Sequence, residues 1–400
     1  MRRSKHYIVA ICASLFQTCF IYAASYYVAP NGSGAGSSWS TAFTNIQTAL
    51  NIASSNDVIY VAGGTYQMTN SLIWPASASY VNIYGGYAAT SDIALPGARN
   101  IQLWPTVIKR ISGFDRLLTI VKVTNGVMDG ITLAGGYKKT TGHVYGGGIL
   151  ATNCVNLKLV SCIIASNRAE TTTWHGYAYG GGMVCIGGSV TITNCVITRN
   201  KAFGYGDFAT DTGYGGGVCA ANSVVLIRDS IFCFNEADNT TTLRVGQGGA
   251  LYANGTVAVQ NCLIYANRAY NNGGDGIRIG GGTMRAEFCT IANHPNIGVY
   301  RSGGTASVSN SVVWDCGDDI LGTVTLGYND IEDGDSGPGC FSSNPLFEYG
   351  YYLGTGSPCI DAGSTTAAGA GLSGYTTKAN GATDSGMADI GYHYFSGMNL

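Results

Sequence analysis

Aromatic rings set among histidines and carboxylates are groups that can hold a sugar. The flat face of a ring covers the C–H side of a pyranose, and neighbouring polar groups take its hydroxyls. This sequence gathers such residues in short stretches. Tyr137, His143 and Tyr145 fall in the first, Trp174, His175, Tyr177 and Tyr179 in the second, and Tyr205, Asp207 and Tyr214 in the third; Phe203, Phe208, Asp211 and Tyr270 lie beside them. The ten residues from Tyr137 to Tyr214 are candidate carbohydrate-binding residues. The competing reading is that the rings stack on one another and seal a flank of the fold.

Other chemistry is sparser. Asp330, Glu332, Asp333 and Asp335 surround Gly334, loosely like a calcium loop, which makes Asp330, Asp333 and Asp335 candidate metal ligands. The run lacks the distal glutamate of that motif, and a solvated turn is the competing reading. No cofactor is expected beyond that calcium option. For a lyase, a base such as Lys138, Lys139 or His143 would have to stand beside a group that neutralises a carboxylate; for a hydrolase, carboxylates would have to face one another. Asp207, Asp211, Asp275 and Arg278 can be cast in such roles, yet none of these residues falls in a catalytic motif, and the catalytic residues are left unknown.

These residues are placed by a repeat. LKLVSCIIASNRA from Leu157, VTITNCVITRNKA from Val190, VLIRDSIFCFNEA from Val225 and VAVQNCLIYANRA from Val257 align without gaps. Each follows a glycine knot, at Gly146, Gly180, Gly215 and Gln247, and weaker copies run through Met284 to His294 and Ala306 to Cys316. Leu159, Ile192, Ile227 and Val259 share one apolar column two residues beyond Leu157, Val190, Val225 and Val257, which is strand alternation. A polar corner follows at Ser161, Asn194, Asp229 and Asn261, then small residues at Cys162, Cys195, Ser230 and Cys262, then Ile164, Ile197, Phe232 and Ile264 pointing inward.

Asn167, Asn200, Asn235 and Asn267 then form an unbroken column. Asparagine tolerates left-handed backbone and can pair its amides along a stack, so the column reads as solenoid architecture. The asparagines are 32 to 35 residues apart, whereas a bare coil needs roughly 22 to 27. Each repeat is therefore expected to be one coil plus an excursion, at 137–145, 170–179, 203–214, 238–246 and 270–273, all leaving from one corner to lie side by side. The fold class expected is all-β: a right-handed, single-stranded parallel β-helix, with Phe43, Ile46 and Leu50 on a short helix that plugs its N-terminal end.

Composition agrees. Fifty-nine glycines and 11% charged residues suit a turn-rich solenoid. Arg2, Arg3 and Lys5, the apolar stretch from Ile8 to Tyr22 and Ala23-Ala24-Ser25 read as a cleaved secretory leader over 1–25. Its loss leaves 18 basic against 23 acidic residues, a net charge of −5, which argues against nucleic acid or an anionic membrane as partner. Eleven of the 13 cysteines then remain, an odd number; the Cys162 column is expected to stay reduced, and Cys340 with Cys359 is the favoured bridge if any forms.

The glycine knots and the segment Phe232-Cys233-Phe234-Asn235 resemble the GGA(I/L) and FxxN motifs of polymorphic outer-membrane protein repeats, with Ile in place of that Phe in the other three copies. Tyr26 to Leu50 with Asp57 to Tyr66 resembles the N-terminal cap of secreted pectate-lyase-like β-helix proteins. Asn344 to Phe347, Ser357 to Gly363 and Ala388 to Phe395 resemble the closing segment of repeat proteins with a choice-of-anchor C-terminal domain. The division expected is 26–125 for the cap and first coils, 126–335 for the repeats and 336–400 for the closing segment. The chain is expected to be monomeric, secreted or held at the outer-membrane surface, and to present its aromatic loops to a polysaccharide or surface glycan. A polysaccharide lyase or glycoside hydrolase, and a structural or adhesive repeat protein, are the alternatives.

Overall fold

The structure, a computed structural model, describes residues 23–90, 95–206, 212–239 and 245–395. The leader, apart from its last three residues, lies outside them. The chain winds as a parallel β-helix in which 23 strands join one continuous sheet. The alignment columns become rungs: Leu159 pairs in register with Ile192, Ile192 with Ile227 and Ile227 with Val259. All four are fully buried, as are Ile164, Ile197, Phe232 and Ile264. At the N-terminal end the helix Ile46–Ile52 lays Ile46, Ala49 and Leu50 on the first coil, its N-terminus closed by the Asn45 side chain accepting from the Gln47 N–H.

Two polar ladders hold the rungs together. In the first, the Nδ2 of Asn167, Asn200 and Asn235 donates to Oδ1 of the next asparagine at 3.0, 2.9 and 2.9 Å, and the same Oδ1 atoms accept the backbone N–H of the residue above. These asparagines are buried and do not carry the left-handed turn expected of them. That conformation falls on the preceding residue, Ser166, Arg199, Phe234 and Ala266, with φ between 51° and 58°. The turn swings the following side chain inward, where an amide meets two backbone groups and its neighbour at once. In the last coils His294 and Cys316 stand on successive rungs at the end of this column, and His294 Nδ1 meets the backbone of Asn267.

The second ladder explains the small column. Cys162, Cys195, Ser230, Cys262, Cys289 and Ser311 each donate to the carbonyl two residues earlier, at 2.6 to 3.4 Å. A thiol and a hydroxyl can make the same bond, which is why the two interchange. All eleven described cysteines are free, Cys340 and Cys359 included; Cys359 Sγ instead lies 3.2 Å from Asp330 Oδ2. The favoured bridge is therefore absent from the structure.

The excursions are not loops on a coil. Tyr137–Thr140, Arg168–Thr171, Lys201–Phe203, Glu236–Asp238 and Arg268–Ala269 run outward as a five-stranded parallel ladder. Val144–Tyr145, Ala178–Tyr179, Gly213–Tyr214 and Gly246–Gln247 run back as a four-stranded one. The two ladders press together into a fin through mostly small residues: Ala169, Ala178 and Ala202 are buried between them with Val144, and a Cβ on Gly246 would lie 1.9 Å from the Ala237 carbonyl oxygen. At the fin's neck the returning chain crosses the outgoing one. There a Cβ on Gly181 would sit 2.4 Å from the carbonyl carbon of Lys201, and Gly180 before it has φ +65. The glycine knots are the condition for that crossing.

After Asp330–Ile331 the chain leaves the coil and folds outside it, then climbs back along the corner. Asn310, Thr290 and Asn261 receive it through the backbone N–H groups of Gly391, Tyr392 and His393, and Asn261 returns a bond to the His393 carbonyl. Removing one amide from the first ladder tests its weight. Asn235→Ala would strand four partners of a buried group and should cost about 3 to 5 kcal/mol in urea unfolding; a loss below roughly 0.5 kcal/mol, the range of ordinary surface changes, would show that the ladder is incidental.

Candidate functional site

The fin sorts the aromatic residues into three places. Tyr145, Tyr179 and Tyr214 occupy one register position of the returning ladder, and their rings stack face to face at 5.0 Å per step with planes within 16°. They lie against the outward column of the main sheet, in which Leu150, Val184, Cys219 and Tyr252 follow on successive rungs; Val184 and Cys219 are fully buried although they point away from the core. Burial raises the phenol pKa of Tyr179, and that of Tyr214 to about 12. These three rings therefore do what the competing reading assigns to all of them: they seal a flank.

The second place is the fin's opposite face. Tyr137 lies there, its hydroxyl donating to Glu170 and its ring edge-on to Phe114 at 5.1 Å. Cations and rings interleave along this face. Lys139 and Arg168 pair with Glu170 at 2.9 and 2.7 Å, Arg168 stands over the Phe203 ring at 4.8 Å and Arg268 over Tyr270 at 4.1 Å. Glu170 balances Lys139 and Arg168 within the ladder.

The third place is the rim. Trp174 is 55% exposed and Tyr205 38%, on neighbouring excursions joined by a backbone bridge between Gly176 and Tyr205. His175 beside Trp174 is exposed, and His143 lies flat on Tyr177 at 4.8 Å, its Nδ1 accepting the Tyr177 N–H. Tyr177 in turn meets Tyr214 edge-on at 5.8 Å, which links the rim to the sealed stack. Asp207, with Phe208 and Asp211, lies outside the described residues.

Asp330, Asp333 and Asp335 are not brought to one point. Asp330 is buried and accepts from the Ser343 N–H, while Asp333 exchanges backbone N–H bonds with Asp319 on the preceding coil. Asp335 is partly exposed, its carboxyl pKa raised by burial and by Asp318 and Asp333. Among the described residues one carboxylate trio does converge, Asp361, Asp384 and Asp389, with ligand atoms within 4.8 Å of one another. Asp384 already accepts from the Asp389 N–H and meets His393 Nε2 at 3.0 Å, and Asp389 accepts from the Asp361 N–H and the Thr377 hydroxyl. The trio ties the closing segment to itself.

Among the described residues burial raises the carboxyl pKa of Asp275, Asp319, Asp330 and Asp335, and it carries the first two furthest, into the range of a general acid. Burial lifts Asp275 to about 6, against N–H bonds from Ala269 and Asn296 that favour its charge. Burial lifts Asp319 to about 7, with Asp333 adding repulsion. Both are fully buried, so neither is presented to a polymer lying along the surface. Tyr252, Arg278 and Tyr300 went unread as a group in the sequence. Their signal is position: each follows the first inward residue after a glycine turn, in the same column as Leu150, Val184 and Cys219.

No protein-family model matches the chain, and no curated protein matches it. Among solved structures it is similar to a rhamnogalacturonan lyase at 14% identity, over 84% of this chain and 93% of that one, with a TM-score of 0.50. Others are the pectate lyase Pel9A at 14% identity over 92% and 95% of the two chains, TM-score 0.49, and a pectin methylesterase from Aspergillus niger at 15% over 80% and 92%, TM-score 0.41. At this identity the likeness is one of fold.

A carboxyl whose folded pKa exceeds its unfolded one holds its proton longer in the native state. Its contribution is therefore full at low pH and is lost as pH rises, for Asp319 between about 4 and 7. His294, lowered to about 4 by burial, has the opposite sign and gains across the acid side of that window. Asp319→Asn should remove only the first effect. Its stability relative to the wild type should then improve by on the order of 2 kcal/mol between pH 4 and pH 8 in parallel urea melts; a difference independent of pH would contradict the interior assignment.

Proposed function

We propose that the protein is exported by cleavage of the leader 1–25 and acts as a monomeric surface or extracellular glycan-binding protein, with the rim of the fin as its binding face. The observation that carries this reading is the exposure of Trp174 and Tyr205 on adjacent, backbone-bridged excursions, with the His143–Tyr177 pair beside them. Two large rings at the turn of the fin keep a substantial part of their faces open to solvent. Flat apolar faces next to imidazole groups match the alternation of C–H and hydroxyl surfaces on a sugar. The rhamnogalacturonan lyase of similar fold is, by its name, a protein that acts on a polysaccharide, which lends the glycan reading a fold-level analogy. Display through choice-of-anchor-type residues at 336–400 and outer-membrane-type repeats completes the proposal.

A lyase or hydrolase is the weaker reading. Its raised carboxyls, Asp275 and Asp319, are enclosed, and the carboxylates that do converge are committed to the closing segment. A purely adhesive role would leave the rim rings without a sugar partner.

The division of the rings gives the test. Trp174→Ala or Tyr205→Ala should weaken glycan binding by about 1 kcal/mol, roughly fivefold in Kd, at unchanged melting temperature. Tyr179→Ala should do the reverse, costing about 2 to 3 kcal/mol of stability with binding retained. Calorimetry and thermal melts on the three variants decide it: unaltered affinity in both rim variants would remove the glycan reading.

A further inference from the structure

Among the described residues Arg278 has no carboxylate partner. It continues the outward column, between Tyr252 on one coil and Tyr300 on the next. The tyrosine stack roofs this column only as far as Tyr214, because Gln247 takes the ring position in the last strand of the returning ladder. The side chain is half-buried, and its guanidinium carbon stands 4.1 Å from the centroid of the Tyr300 ring. Its Nε is shielded from solvent and makes no hydrogen bond. Among the described residues no carboxylate pairs with it, and the charged or polar groups that act on it are the phenols of Tyr300, Tyr252 and Tyr214.

Three cations of the fin differ in this respect. Lys139, Arg168 and Lys201 each have a glutamate within 3.0 Å. A guanidinium partly withdrawn from water over a ring face keeps its outer N–H donors free at its own edge. That edge is a planar fork, suited to two oxygens of one anion. An anion arriving there finds less water to displace from the cation than at an exposed arginine, so the pair is screened less and held harder.

The geometry points to Arg278, bracketed by Tyr252 and Tyr300, as a binding position for an oxyanion substituent, a carboxylate or a sulfate ester, on the glycan held by the fin. The ligand class is thereby narrowed to an acidic glycan. This rests on the glycan reading of the rim. The chain as a whole is acidic, so long-range attraction cannot supply the preference; it has to come from this one desolvated cation.

The test uses the mature chain, Arg278→Gln, Arg278→Lys and Trp174→Ala. The probes are a neutral oligosaccharide, its uronic-acid and its sulfated counterparts, and methyl glucuronide alone, all titrated by calorimetry. The wild type should prefer at least one acidic probe to the neutral one by about tenfold, and whichever of the two is preferred identifies the oxyanion. Arg278→Gln should abolish that preference while leaving neutral binding and the melting temperature unchanged. Arg278→Lys should restore part of it, since lysine keeps the charge and loses the fork. Trp174→Ala should weaken all three oligosaccharides alike. Equal binding of neutral and acidic probes, or a preference that survives Arg278→Gln, overturns the inference and leaves the rim reading intact. Arg278-dependent binding of methyl glucuronide without binding of any oligosaccharide would sustain the oxyanion position and remove the rim reading.

Discussion

A backbone that turns a corner inside a parallel β-helix leaves N–H and C=O groups facing the interior, away from water, and each must find a partner or cost the fold 1 to 3 kcal/mol or so. The buried amides of Asn167, Asn200, Asn235 and Asn267 meet that demand at one corner of four successive coils, and by bonding to one another they fix the coils in register. The fin begins at that corner. Arg168, Lys201, Glu236 and Arg268 follow the asparagines directly, and the Lys201 and Glu236 N–H groups donate to the carbonyls of Asn167 and Asn200. The fin thus inherits its spacing from the ladder.

That inheritance accounts for the division of labour among the rings. Residues one rung apart in a parallel ladder must stack, so Tyr145, Tyr179 and Tyr214 spend their faces on each other and on the column beneath. Rings near the turn of the fin escape the register, because the excursions differ in length there, and Trp174 and Tyr205 are left facing solvent. The stack also stops where Gln247 takes the place of a ring. Tyr252, Arg278 and Tyr300 lie just past that point, where the sheet face is no longer roofed.

Much of this was legible in the sequence because a solenoid writes its geometry as a period. The gap-free columns translate residue for residue into rungs, and the helix that covers the first coil was visible as an apolar stripe of Phe43, Ile46 and Leu50, although Phe43 falls before the helix starts. Four things were not. The left-handed turn falls one residue before each asparagine, a shift that a column of identical residues conceals, since Ser166, Arg199, Phe234 and Ala266 share no side-chain chemistry. The excursions read as aromatic-bearing loops because their paired strands are only two to four residues long and rely on alanine and glycine, too short and too small for an alternation signal. The acidic run around Gly334 has the composition of a cation loop, but local spacing cannot show that Asp330 turns inward and that Asp333 is taken by Asp319. Likewise a list of aromatic residues cannot tell the stacked ring from the presented one; that depends on which share a register position.

The account stands on the fin being an extension of the solenoid lattice, held by the asparagine corner. Native-state amide hydrogen exchange measures this directly. The amides of Arg168–Thr171, Lys201–Phe203 and Glu236–Asp238 should exchange as slowly as those of Ile192 and Ile227 in the core, and Asn200→Ala should release both sets together. Fin amides that exchange at the rate of an open loop while Ile192 and Ile227 stay protected would contradict it.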